Sequence, residues 1–177
     1  MVLRCAARLS SSIAVRFAAL MHDLGKARTP QSRWPSHHGH EELGVPLIEA
    51  LAARLKIPND CRELAILAAR HHGVVHRAAE LRPATVLELL EKTDAFRRPE
   101  RFADLLLACE ADARGRAGLE DRPYPQADYF RRARDAAAAV VLQPAEREGL
   151  DGAGIGKKIH ALRLAAISAL KREELNG

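Results

Sequence analysis

The chain has 177 residues, enough for one domain with room for an appended helical piece, and enough to bury a core without disulfides or metals. Aromatic residues make up only 4%, while alanine and leucine abound, so the composition favours packed helices over sheet. The formal net charge of +5 suits a polyanionic partner. The three cysteines Cys5, Cys61 and Cys109 form no CxxC or CxxH pattern, which predicts reduced side chains on helix faces of a cytoplasmic protein. No apolar run is long enough to span a bilayer, and no signal-peptide layout precedes the first helix.

Apolar residues recur at helical spacing almost throughout, and the fold class expected is all-α. "VLRCAARL" (Val2–Leu9) reads as helix at once. Ser10–Ser12 offer capping hydroxyls for a helix from Ile13 to His22, which Gly25 would end in a left-handed conformation. Pro30 and Pro35 bracket a loop containing Trp34. "EELGVPLIEALAARL" predicts a helix that Pro46 kinks or starts. "IPNDCRELAILAARHH" predicts another, capped by Asn59 or Asp60 and stopped by Gly73. "RPATVLELLEKTDAF" and "RPERFADLLLACEADA" each open with a proline in the first turn. The Gly- and Pro-bearing stretch 114–126 reads as a hinge. "ADYFRRARDAAAAVVLQ" and "IGKKIHALRLAAISALKREEL" complete the chain as helices.

The chemistry concentrates in "FAALMHDLGKARTP", where an apolar helix runs out in the adjacent pair His22–Asp23. Neighbouring helical side chains point about 100° apart, so the pair could grip one ion lodged between them and a second helix. Further donors are available in His37, His38 and His40, in His71 and His72, and in Asp94. Imidazoles with carboxylates suit divalent transition metals, and carboxylate with water suits magnesium. Lys26 and Arg28 follow closely and could take phosphate oxygens. Taken singly, each of these residues has an ordinary explanation. His22 at a helix end complements the dipole, Asp94 reads as a surface residue, His37, His38 and His40 read as capping or loop residues, and His76 and His160 read as structural.

"HDLGK", with a later His and a later Asp, resembles the HD superfamily of metal-dependent phosphohydrolases. "AALMHDLGKARTP", "WPSHHGHEELGV", "EKTDAFRRPER", "EADARGRAG" and "YPQADYFRRA" together resemble the C-terminal HD portion of bacterial multifunctional CCA proteins, which are tRNA nucleotidyltransferases. The tail "GLDGAGIGKKIHALRLAAI" extends the likeness. The resemblance implies an HD-type helical bundle over residues 1–118 and a C-terminal helical arm over residues 119–177. It implies metal ligands His22, Asp23, His72 and Asp94, and catalytic work for Asp23, His72 and Lys26. It further implies 2′,3′-cyclic phosphodiesterase, 2′-nucleotidase and phosphatase activities supported by nickel or magnesium.

The expected partner is tRNA or a nucleotide phosphate, with the arginine runs at Arg97, Arg98, Arg114, Arg116, Arg131 and Arg132 as candidate RNA contacts; a solvated helix face explains them as simply. Two departures bear on this. The family's Gly-Ser motif and paired metal-binding aspartates are missing, so no nucleotidyl transfer is expected from this chain. The family's first motif His would precede Met1, which points to a truncated product with one ligand missing. A non-catalytic RNA-binding or relict fragment is therefore the alternative, and a homodimer or a separate nucleotidyltransferase chain are further arrangements to test.

Overall fold

A computed structural model describes residues 1–176, with side chains through Glu173. Among the described residues there are nine α-helices and no strand, so the all-α expectation holds. No helix among them is long and apolar enough to cross a membrane. Cys5, Cys61 and Cys109 are all free. The chain divides into two compact units, each assembled from two separate stretches.

The first unit combines Met1–Arg77 with Glu100–Ala127. It holds α1 (Val2–Leu9), α2 (Ile13–Met21), two 3-10 turns (Leu24–Arg28 and Gln31–Arg33), α3 (His40–Leu55) and α4 (Asn59–His76). It also holds nearly all of α6 (Pro99–Arg114). Ser12 caps α2 by accepting from the Val15 N–H, as its sequence position suggests. Helix α2 packs on α4 and on α1, while α3 packs on α4 and on the first 3-10 turn. Small residues make these approaches close: Ala14, Ala18 and Ala19 are buried on α2, and Ala65, Ala68 and Ala69 on α4. Larger side chains, among them Ile48, Leu64, Phe102, Leu105 and Leu106, fill the rest of this core.

Three local expectations are corrected or narrowed here. Gly25 does not take the left-handed conformation; it lies within the 3-10 turn Leu24–Arg28. Its lack of a side chain serves packing, because a Cβ there would stand 1.9 Å from the His40 carbonyl oxygen and 2.6 Å from the Gly44 nitrogen. Pro46 does not start α3, since the helix begins six residues earlier and runs to Leu55 with Pro46 inside, the interior position that its alternative role as a kink requires. Gly73 does not stop α4, which continues to His76, and Pro58 rather than Asn59 or Asp60 precedes its first turn. The extra turn places His76 one helical turn beyond His72 on the same face.

The second unit combines Ala78–Pro99 with the chain from Asp128 onward. It contains α5 (Pro83–Lys92), the main part of α7 (Pro125–Ala138), the short α8 (Pro144–Arg147) and α9 (Gly152–Asn176). Helix α5 packs on α9. Val86, Leu87, Leu90, Phe130, Ala133, Leu142 and Ile167 are fully or almost fully buried here. Arg163 on α9 lies 4.0 Å over the Phe96 ring, and His160 pairs with Glu91 at 3.0 Å.

A candidate metal centre

Helix α2 ends with its last turn at the packing seam with α4, so His22 arrives buried at the level of His72. Their rings stand edge to face with centroids 5.0 Å apart. His22, Asp23 and His72 each offer a donor atom within 4.8 Å of the other two. His40, the first residue of α3, joins them: its Nε2 lies 3.2 Å from Asp23 Oδ1 and 3.2 Å from His72 Nε2.

The three imidazoles share one orientation rule. His22 Nδ1 donates to the Ala19 carbonyl at 2.9 Å, His72 Nδ1 to the Ala68 carbonyl at 2.9 Å, and His40 Nδ1 to the His37 carbonyl at 3.0 Å. A carbonyl can only accept, so Nδ1 carries the proton in each ring and Nε2 turns inward. His40 and His72 thus oppose lone pairs 3.2 Å apart, with a carboxylate oxygen beside them. Buried Nε2 of His22 faces only carboxylate oxygens, Asp23 Oδ2 and Asp112 Oδ1 at 3.2 Å each, while Asp23 Oδ1 faces the Nε2 atoms of His40 and His72 at 3.2 and 3.7 Å. Nε2 atoms and carboxylate oxygens crowded this closely call for a proton or a metal cation between them, and ligand imidazoles pinned through the other nitrogen are the usual form of a metal site. The donor set therefore fits a divalent ion.

A second carboxylate reaches the cluster. Asp112, buried on α6, sets Oδ1 3.2 Å from His22 Nε2 and Oδ2 2.8 Å from His76 Nε2. Tyr124 completes this row with its hydroxyl 2.9 Å from His76 Nδ1. Burial pushes the Tyr124 phenol far up, so it stays protonated and donates. On the open side, Lys26 Nζ pairs with Asp23 Oδ2 at 2.6 Å, and both side chains are partly exposed.

Charge follows from this geometry. Burial disfavours the His22 imidazolium, but the hydrogen bonds and charges of Asp112 and Asp23 outweigh it and raise this group to about 10. Burial alone would raise Asp23 and Asp112; their histidine partners, with Lys26 for Asp23, instead hold both well below the usual carboxylate range. Burial, reinforced by the charge of His22, lowers His72 and keeps it neutral. Without an ion, a proton on His22 supplies the positive charge that two carboxylates demand.

Of the residues expected from the sequence, His22, Asp23, His72 and Lys26 lie together in the first unit. Asp94 belongs to the second unit, just past α5 rather than on a helix, with φ of 57°. There Arg97 holds its carboxylate through two contacts of 2.7 and 3.0 Å. The carboxylate that touches His22 is Asp112. His37 accepts from or donates to Thr29 Oγ1 at 2.6 Å, and His38 is exposed. Arg98 also pairs with Asp94, Arg114 with Glu110, and Arg131 with Asp128, while Arg116 is exposed.

Sequence reasoning missed His40, His76 and Asp112 as neighbours of the pair, although two of them carry a signal. His72 and His76 stand four apart on one helix. Asp112 falls in the stripe Leu105, Cys109, Asp112 of α6, a charge on a face that is otherwise core.

The HD domain profile matches residues 1–114. The multifunctional CCA protein of Thioalkalivibrio sulfidiphilus is 58% identical over 173 residues, which is 98% of this chain and 42% of that protein. Those of Nitrosococcus oceani and Alkalilimnicola ehrlichii are 55% and 53% identical, covering 94% of this chain and 41% and 40% of their own lengths. The chain thus spans about two fifths of the curated relatives it matches. No solved structure matches it. HD domains bind divalent metals, and the donor set of His22, Asp23 and His72 fits one. On its sequence match, its helical architecture and this cluster, the chain belongs to the HD domain family and is similar to the HD-containing part of multifunctional CCA proteins.

Proposed function

We propose that the chain is a metal-dependent phosphohydrolase acting on 2′,3′-cyclic and 2′-phosphate ends of nucleotides and of tRNA. The observation that carries this is the mutual approach of donor atoms of His22, Asp23 and His72 within 4.8 Å, with His40 and Asp112 adjoining and Lys26 beside Asp23. His22, Asp23 and His72 would hold the ion, with His40 and Asp112 as the adjoining donors. Imidazole-rich donor sets favour nickel over magnesium, which prefers oxygen ligands. A divalent ion there supplies Lewis acidity, acidifying water and neutralising phosphoryl charge.

The side chains do the rest. Lys26 fixes the Asp23 carboxylate through its 2.6 Å contact and brings an ammonium to the open side of the site, where a phosphoryl oxygen can share it. His72 has Nδ1 committed to the Ala68 carbonyl, so its one available nitrogen serves as a ligand. The CCA-protein relatives support tRNA as the larger substrate and a cytoplasmic setting, with Arg116 and Arg131 on exposed or partly exposed ground for backbone contact.

Turnover of 2′,3′-cyclic AMP should require nickel or magnesium and vanish in Asp23→Ala. Folded protein without metal-dependent turnover would sink the proposal in favour of a non-catalytic RNA-binding fragment. Nickel titrations of Asp112→Asn and Asp94→Asn identify the second carboxylate. The 3.2 Å approach to His22 leads us to expect the larger loss of affinity in Asp112→Asn.

A further inference from the structure

Beside the metal cluster, and wholly within the first unit, a cavity of about 330 Å³ opens between the end of α6 and the loop that leads to α7. Its chemistry is divided. Arg116 and Arg122 line it, both exposed and neither in an ion pair among the described residues. Arg114 also lines it but is committed to Glu110 Oε1 at 2.7 Å and to the Glu120 carbonyl at 2.8 Å, so it acts as a fixed wall. Pro123 and the Tyr124 ring give an apolar, planar side.

Gln126 lines the same cavity. Its Nε2 donates to the His76 carbonyl at 3.3 Å, which fixes the amide orientation and leaves Oε1 buried without a partner. His76 stands on the wall shared with the cluster, reaching Asp112 with Nε2 and Tyr124 with Nδ1.

A ligand for this cavity needs an anionic group for two uncommitted guanidinium groups, a flat apolar body, and an N–H donor for an orphaned amide oxygen. We propose that the cavity is a binding pocket for a nucleoside monophosphate, with the phosphate on Arg116 and Arg122 and the base against Tyr124, one of its N–H groups reaching Gln126 Oε1. The cavity volume lies at the lower end of the range typical of small-molecule sites, about 300–1,000 Å³, which suits one nucleotide rather than an oligonucleotide. None of His22, Asp23, His72 and Lys26 lines the cavity, so a phosphate on Arg116 and Arg122 is held apart from those residues, and the pocket is a binding site separate from the hydrolytic one.

The test is equilibrium binding of adenosine 2′-monophosphate by calorimetry to the full chain in EDTA, where hydrolysis plays no part. Inorganic phosphate and adenosine serve as half-ligands. The nucleotide should bind saturably and more tightly than either half. The double variant Arg116→Ala/Arg122→Ala, altered only at exposed positions, should bind it at least about tenfold more weakly, the factor expected for one lost charge-assisted hydrogen bond. Nucleotide affinity no better than that of phosphate, or unchanged in the double variant, would overturn the pocket even if turnover is observed. Arginine-dependent binding in a protein that turns over nothing would uphold the pocket and remove the hydrolytic function.

Discussion

Replacing Asp112 by Asn isolates the charge that sequence inspection overlooked. The side chain keeps its shape, so packing on α6 is preserved while the bridge between His22 and His76 loses its anion. A hydrogen bond to a charged group contributes about 1.5–3 kcal/mol, and removing one partner of a buried pair costs about 3–5 kcal/mol. Asp23 remains to hold the His22 proton, which places the expected loss near the bottom of that range, about 3 kcal/mol at pH 6. For a chain of this length that lowers the melting temperature of the metal-free protein by about 6–12 °C.

The deficit should then shrink with pH. In the wild type the His22 contribution fades as the pH climbs toward about 10, so the variant has less to lose and the gap should be about halved by pH 9. Thermal unfolding followed by circular dichroism in EDTA at both pH values measures this. A melting temperature equal to wild type at pH 6, or a deficit that widens with pH, would refute the assignment of Asp112 as the counter-ion of His22.

Two further outcomes follow from the same geometry. His22 is raised on folding, so its stabilisation is complete below about pH 6.5 and lost as pH rises toward about 10. Asp23 and Asp112 are depressed, so theirs is complete above about pH 4 and lost below it. The metal-free protein should therefore be most stable between about pH 4 and 6.5, and urea unfolding across pH that peaks above 8 would contradict this. Gly25→Ala should cost about 3 kcal/mol or more, because a Cβ 1.9 Å from the His40 carbonyl forces α3 away from the first 3-10 turn; denaturant midpoints near wild type would show that the turn yields freely.

The helices were legible because their apolar periodicity is local, and the prolines at 83 and 99 open α5 and α6 as their first-turn positions predict. The misjudged signals at Gly25 and Gly73 share a cause. Each residue was assigned its commonest local role, whereas long-range packing decided what it does: Gly25 and Gly44 let α3 approach the turn after α2, and α4 carries Gly73 inside it. Lys26 and the His–Asp pair were legible from their spacing and from the family resemblance. His40 reads from the sequence as a capping or loop residue, and Asp94 is the later carboxylate that the family resemblance implies; the fold sets Asp112 against His22 and Asp94 against Arg97.

By itself, then, the sequence determined an all-α chain with an adjacent His22–Asp23 pair at a helix end, because helical periodicity and a neighbouring pair of potential ligands are both encoded within a few residues. Which other side chains meet that pair was decided only in three dimensions. Residues 40, 72, 76 and 112 come together because alanine-lined helices pack closely and a glycine lets a third helix in. Whether a given imidazole is a ligand or a cap depends on what its second nitrogen binds, and that is a property of the packed structure.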